Sequence, residues 1–276
     1  MNNKRNYDFA DETPRLENKD IIIEEENYHH LKIKKINVKK DVDNFQKKGN
    51  YLSFEISDLD EKTLSKNKID IIVKTLSELV KKQKVKDNPH VLMVGLGNDD
   101  FSSDALGPET IKKINANSYI KHLDKKISCI IPGVMKTTGL ESASIIKSLV
   151  NEFKFDLVIV FDSLTTINPN RLFKVIQITD TEIVPGSGIK NYRQSLNYKS
   201  LGVPLIAVGV SMAILYSTII ENVLNHVEYP KKIKKDDKKY LLDQLNNELI
   251  LTSKDSEIRV KTISYNLSQI FNRLFA

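Results

Sequence analysis

Five short apolar runs punctuate the middle of the chain: 91–95 (VLMVG), 127–131 (ISCII), 155–161 (FDLVIVF), 173–178 (FKVIQI) and 203–210 (VPLIAVGV). Each is too brief for a helix and too continuously apolar for a half-exposed strand. Between them the spacing turns helical, over 104–115, 141–152 and 212–227, with Ile145, Ile146, Leu149 and Val150 on one side of the second. Strands buried on both faces and alternating with helices predict an α/β fold. The expected architecture is a three-layer α/β/α sandwich around a mainly parallel sheet, with 155–161 ending at Asp162.

The flanks are simpler. Residues 1–19 are polar and without period, which predicts a loose terminus. Residues 21–23, Leu31–Val38 and 51–57 read as strands of a small N-terminal β element, about 20–58. Ile69, Ile72, Val73, Leu76, Leu79 and Val80 predict a helix within 60–83. The lysine-rich stretch 230–240 reads as a charged linker, and 241–251 as helical and then extended. A final amphipathic helix is expected over 255–275, capped by Ser253 or Ser256. One domain, 9–276, accounts for these elements.

Composition narrows the function. The net charge is +6, but lysines are spread along the chain among acids, so direct nucleic-acid binding is not expected. No apolar run reaches membrane-spanning length, and the first residues lack the apolar core of a secretory signal. Cys129, the single cysteine, excludes an intrachain disulfide and reads as a buried structural thiol, in keeping with a cytoplasmic protein. His29, His30, His90, His122 and His226 show no metal-ligand spacing, so neither metal nor cofactor is expected.

Gly95-Leu96-Gly97 suggests a dinucleotide loop, but the third glycine position holds Asp100, beside Asp99, and two carboxylates there would repel a pyrophosphate. Asp104 and Asp162 each follow an apolar strand where the chain turns. Carboxylates brought together at one sheet edge share a proton, which yields a base to activate water and an acid to protonate a leaving group. Helix cap and turn residue are the plainer roles for the same two positions. Gly97, Asn98, Gly133, Gly139, Gly186, Ser187 and Gly188 lie in loops able to offer N–H groups to a substrate or oxyanion, or to serve as ordinary turns.

The blocks GLGNDDFSSDALGP, IPGVMKTTGLES, LVIVFDSLTT, QITDTEIVPGSGIKNYRQSL and LGVPLIAVGV, in that order, resemble the spore germination protease family. So do YDFADE and IIIEEE near the start and LILTSKDSEI near the end. The resemblance implies a phosphorylase/hydrolase-like fold, similar to that of hydrogenase maturation proteases. It implies an aspartic-type endopeptidase of small acid-soluble spore proteins, a homotetramer in the cytoplasm of the forespore or spore core. Two aspartates carry the chemistry in that family, and its motifs fall on Asp104 and Asp162. Asp104 at a helix entrance is then expected to be the base and Asp162 the acid, with the peptide extended across the strand ends. The family trims its own N-terminus, which implies a propeptide of residues 1–8 and a cut between Asp8 and Phe9. The chain departs from the family at 211–217 (SMAILYS), where a Pro and an Asp are usual, and in a shorter region before the last helix. A non-catalytic homologue and a metal-dependent maturation protease of the same fold are the alternatives.

Overall fold

In the computed structural model, which describes residues 8–13, 19–42, 47–120, 122–186, 194–226, 240 and 249–276, the apolar runs lie side by side in one sheet. Four strands are parallel: β4 (His90–Gly95), β5 (Lys126–Ile130), β6 (Leu157–Thr166) and β10 (Leu205–Leu215), with β6 between β4 and β10. The sheet continues antiparallel from β10 through β7 (Val175–Thr179), β3 (Gly49–Ile56) and β2 (Leu31–Val38) to β1 (Ile21–Tyr28). The N-terminal strands therefore extend the main sheet through the β3–β7 pairing. The reversal at β7 follows from its connection: only a 3₁₀ turn, Pro169–Arg171, separates it from β6, too little chain for a helical crossover. A two-stranded ribbon, β8 (Glu182–Ile183) with β9 (Leu196–Asn197), stands beside the sheet, and β11 (Ile250–Leu251) pairs with the end of β10.

Helices cover both faces. α1 (Lys66–Lys82), α2 (Leu106–Ile111) and α7 (Ser256–Leu274) bury apolar residues with β3, β4, β6, β7 and β10 on one side. α4 (Ser142–Phe153) and α5 (Tyr198–Leu201) do so on the other. α3 (Met135–Thr138) is a single turn after β5, and α6 (Tyr216–His226) follows β10. Three layers with a mixed sheet make the fold α/β.

Several boundaries differ from expectation. The strand of Asp162 does not end there; β6 runs on to Thr166, and β10 runs to Leu215, paired with β6 as far as Ile214, where a helix was expected. Ser211, Met212, Ala213 and Ile214 are buried; Ser211, Ala213 and Ile214 ladder to β6 around a bulge at Met212, and that pairing outweighs helical spacing. The helix after Asp104 spans only Leu106–Ile111. Neither Ser253 nor Ser256 caps α7: the Ser253 hydroxyl donates to Asp255, and Ser256 pairs with Ser102 at 2.6 Å. Residues 8–13 are not loose but packed against the sheet, with Phe9 fully buried. The 230–239 part of the expected linker and residues 241–248 lie outside the described residues.

Asn266, buried on α7, ties the loop before α1 to the core. Its Oδ1 accepts from Leu64 N–H at 2.9 Å, and its Nδ2 donates to the carbonyls of Leu59 and Lys62 at 2.9 and 3.0 Å. Asn266→Ala would leave buried backbone groups unpaired, so it is expected to cost at least about 2 kcal/mol of stability. Urea unfolding should show the midpoint falling with its slope unchanged.

Candidate active site

The pairing of β4 with β6 carries the chain past Gly95 alongside Phe161, and Leu96 N–H donates to Phe161 O at 2.9 Å. The loop that follows lies beside the continuation of β6, which holds Asp162. Gly97, at φ 113°, makes the loop fold back on Asp104: a Cβ at Gly97 would sit 1.9 Å from the Asp104 carbonyl oxygen. Only glycine allows that approach. Asn98 N–H then donates to Asp104 Oδ2 at 2.9 Å. Asp104 is not the cap of α2, whose first turn follows Ala105.

Asp162 feels the charge of Asp104. Loss of water raises the Asp162 carboxyl well above the usual range, and the charges of Asp104 and Asp8 raise it further. Its Oδ1 accepts from the Ser163 backbone N–H at 2.9 Å. Burial also raises Asp104, opposed by the Asn98 N–H, which favours its ionised form. The neighbouring Ser163 Oγ is buried without a hydrogen-bond partner among the described residues.

Residues 8–13 occupy the ground beyond Asp162. Thr165 donates to Asp8 Oδ2 from its backbone N–H at 2.8 Å and from its hydroxyl at 2.6 Å. Gln177 grips the backbone on both sides of Phe9: its Nε2 donates to Asp8 O, and its Oε1 accepts from Ala10 N–H, both at 2.6 Å. Phe9 is extended, but Ala10–Glu12 form a 3₁₀ turn, so this peptide is not extended throughout. Asp11 and Glu12 both reach Arg171. Burial raises Asp8 and Glu12 above their ordinary values, against the hydrogen bonds they accept.

The glycine loops divide. Gly97 and Asn98 join Asp104. Gly133 and Gly139 lie in the loop after β5, the edge strand beyond β4, and its described hydrogen bonds stay local: Ser142 Oγ to Gly133 O, and Gly139 N–H to Met135 O. Gly186 is exposed beyond β8, and Ser187 and Gly188 lie outside the described residues. Cys129 is half-buried, its thiol pushed up to about 11 by desolvation. Among the described residues no group of three or more His, Cys, Asp or Glu is arranged to hold a metal ion, and no helix is long and apolar enough to cross a membrane. Sequence reasoning missed Thr165, Gln177 and Arg171. Gln177 did carry a signal, as an amide within the otherwise buried apolar run VIQIT.

A family model described as germination protease matches residues 1–257. A germination protease of Clostridium tetani (strain Massachusetts / E88) is 34% identical over 253 residues, covering 81% of this chain and 77% of the relative. One from Oceanobacillus iheyensis is 31% identical over 247 residues, covering 84% and 67%. Among solved structures, the NiFe hydrogenase maturation protease HycI from Thermococcus kodakarensis KOD1 matches 71% of this chain and 97% of its own, at 14% identity. Its TM-score of 0.37 is too low to speak for a shared fold.

Two expectations follow from the geometry. Gly97→Ala must push the Asp104 loop by about an ångström or more, and misplacement of that size costs about a hundredfold in rate; turnover by the purified variant measures it. The second concerns pH. Asp8 and Glu12 are raised in the folded chain, so the docked state binds more protons than the undocked one. Docking is then strongest below the ordinary carboxylate pKa of about 4 and weakens as pH rises through the raised values. Hydrogen exchange at Ala10 should accelerate with pH beyond the intrinsic base catalysis of exchange.

Proposed function

The chain belongs to the germination protease family and is an endopeptidase, and from that membership we propose that it attacks small acid-soluble spore proteins with water held between Asp104 and Asp162, after first removing its own residues 1–8. One observation carries this: a segment of the form acid–aromatic–Ala, Asp8-Phe9-Ala10, is bound beside Asp162, and the Asp8 charge acts on that carboxyl. A segment so held blocks the site and is also its first substrate.

The roles follow from the environments. Asp162, the more strongly raised, keeps the shared proton and is the acid. Asp104, supported by the Asn98 N–H, is the base. This support replaces the helix dipole first expected. Asp104 takes a proton from water as its oxygen bonds to the Asp8 carbonyl carbon. Asp162 gives its proton to the Phe9 nitrogen as the C–N bond breaks, leaving a carboxyl at Asp8 and an amine at Phe9. Gly97, Gly133 and residues 186–188 are the proposed oxyanion and substrate contacts, since the N–H groups of Asn98 and Gly139 are already given to Asp104 and to Met135 O. Residues 9–276 would form a single protease domain. Homotetramer assembly and residence in the spore cytoplasm are supported by family resemblance.

Asp104→Asn and Asp162→Asn are each expected to slow processing at least about a hundredfold, the usual scale for a lost acid or base. Mass spectrometry should find Phe9 at the N-terminus of the processed wild type and Met1 retained in both variants. Full processing by either Asn variant would sink the carboxylate pair, and inhibition by chelators would favour a metal-dependent mechanism instead.

A further inference from the structure

The loop that carries Asp104 is closed on itself. Asp104 N–H donates to Phe101 O at 2.8 Å, Phe101 N–H to Asn98 O at 3.2 Å, and Asp100 N–H to Asn98 Oδ1 at 3.1 Å. With the Asn98 N–H on the Asp104 carboxylate, residues 98–104 form one small unit that could shift as a whole. Among the described residues, two side-chain hydrogen bonds tie that unit to other elements. One belongs to the ion pair of Asp99 with Lys112 at 2.6 Å, both side chains nearly half exposed. A pair so placed holds weakly. The other joins the hydroxyls of Ser102 and Ser256 at 2.6 Å.

Ser256 opens α7 and is 5% exposed. Its hydroxyl is given to a loop 154 positions back rather than to its own helix. α7 does not need that bond to stay in place. Asn266 fastens its middle to the loop before α1. Near its end, Asn272 Oδ1 accepts from Asn115 N–H at 2.9 Å, and its Nδ2 donates to Lys113 O at 3.2 Å. Phe271 packs edge-on against Phe161, the residue before Asp162, with ring centres 4.8 Å apart. The helix is thus a fixed post, and the catalytic loop is what the serine pair secures. One helix then bears on the supports of both carboxyls.

We propose that Ser256 is a positioning residue for the hydrolysis: through Ser102 it fixes the loop that sets Asp104 and the Asn98 N–H beside Asp162. This rests on the role of Asp104 as base proposed above. Without the serine pair the loop drifts and the Asn98 donor loosens. That donor favours the ionised form of Asp104, so its loss lets the carboxyl keep a proton to higher pH. The charged groups on the elements around the loop keep their places: Asp162 on β6 with Asp8 beyond it, Asp99 and Glu109 with Lys112, and Asp255 with Arg259 on α7.

The test follows removal of residues 1–8 from the full-length chain by mass spectrometry over a range of pH. Ser256→Ala and Ser102→Ala are each expected to slow it by about five- to tenfold, the worth of one hydrogen bond. Each should also move the acidic limb of the rate profile to higher pH. The double variant should be no slower than either single one, because both remove the same bond. A wild-type rate in Ser256→Ala would overturn the inference, as would losses that multiply in the double variant. So would a slower rate whose acidic limb stays in place, since lost stability lowers the amount of active protein and not the pH at which it acts. If Ser256→Ala does not fold, Ser102→Ala, at a half-buried loop residue, decides by the same limb. Asp104→Asn is measured beside them. Its full processing would remove the proposed function and this inference together. An inert Asp104→Asn beside serine variants that match the wild type would remove this inference alone.

Discussion

The parallel pairing of β4 with β6 is the constraint on which the rest of the structure depends. It sets Gly95 opposite Phe161, joins Leu96 to Phe161 O, and so delivers the loop from one strand to the side of the other. A one-residue slip would turn every side chain of the strand to the opposite face. That slip is opposed by burial on both sides: Leu157, Ile159 and Phe161 face one apolar cluster, and Val158 and Val160 face the other. The core holds the register, and the register holds two carboxylates from distant parts of the chain at one place.

Burial is unfavourable for the charged form of both carboxyls, and the fold offsets it unequally. Asp104 gains a backbone N–H from Asn98. Asp162, among the described residues, gains the N–H of the next residue alone and loses more water. The inequality gives two identical side chains different proton affinities. It depends on Gly97, because any side chain there would collide with the Asp104 backbone and separate the donor from the acid it supports.

The contacts to residues 8–12 lie downstream of Asp162 on the same strand. β6 continues for four residues past Asp162, and Thr165 and Thr166 in that extension meet Asp8 and Glu12. β7 contributes Gln177, and the turn between the two strands contributes Arg171. The antiparallel return after β6 therefore has a use beyond sheet extension. It closes a polar wall around a peptide whose acids would otherwise remain in water.

The sequence by itself determined the layered α/β plan, the strands at 91–95, 127–131, 155–161, 173–178 and 203–210, and the candidacy of Asp104 and Asp162. These are local matters, decided by apolar runs, helical spacing and the place where a strand gives way to a loop. Even there, helical spacing at 212–215 lost to strand pairing with β6 and β11, which no local pattern records. Only the tertiary structure decided that residues 8–13 are bound rather than loose. Their partners, Thr165, Arg171 and Gln177, lie more than a hundred and fifty positions away. A polar segment with no period looks disordered until the groups that receive its charges are in view, because hydrogen bonds between side chains leave no periodic trace in the chain that makes them.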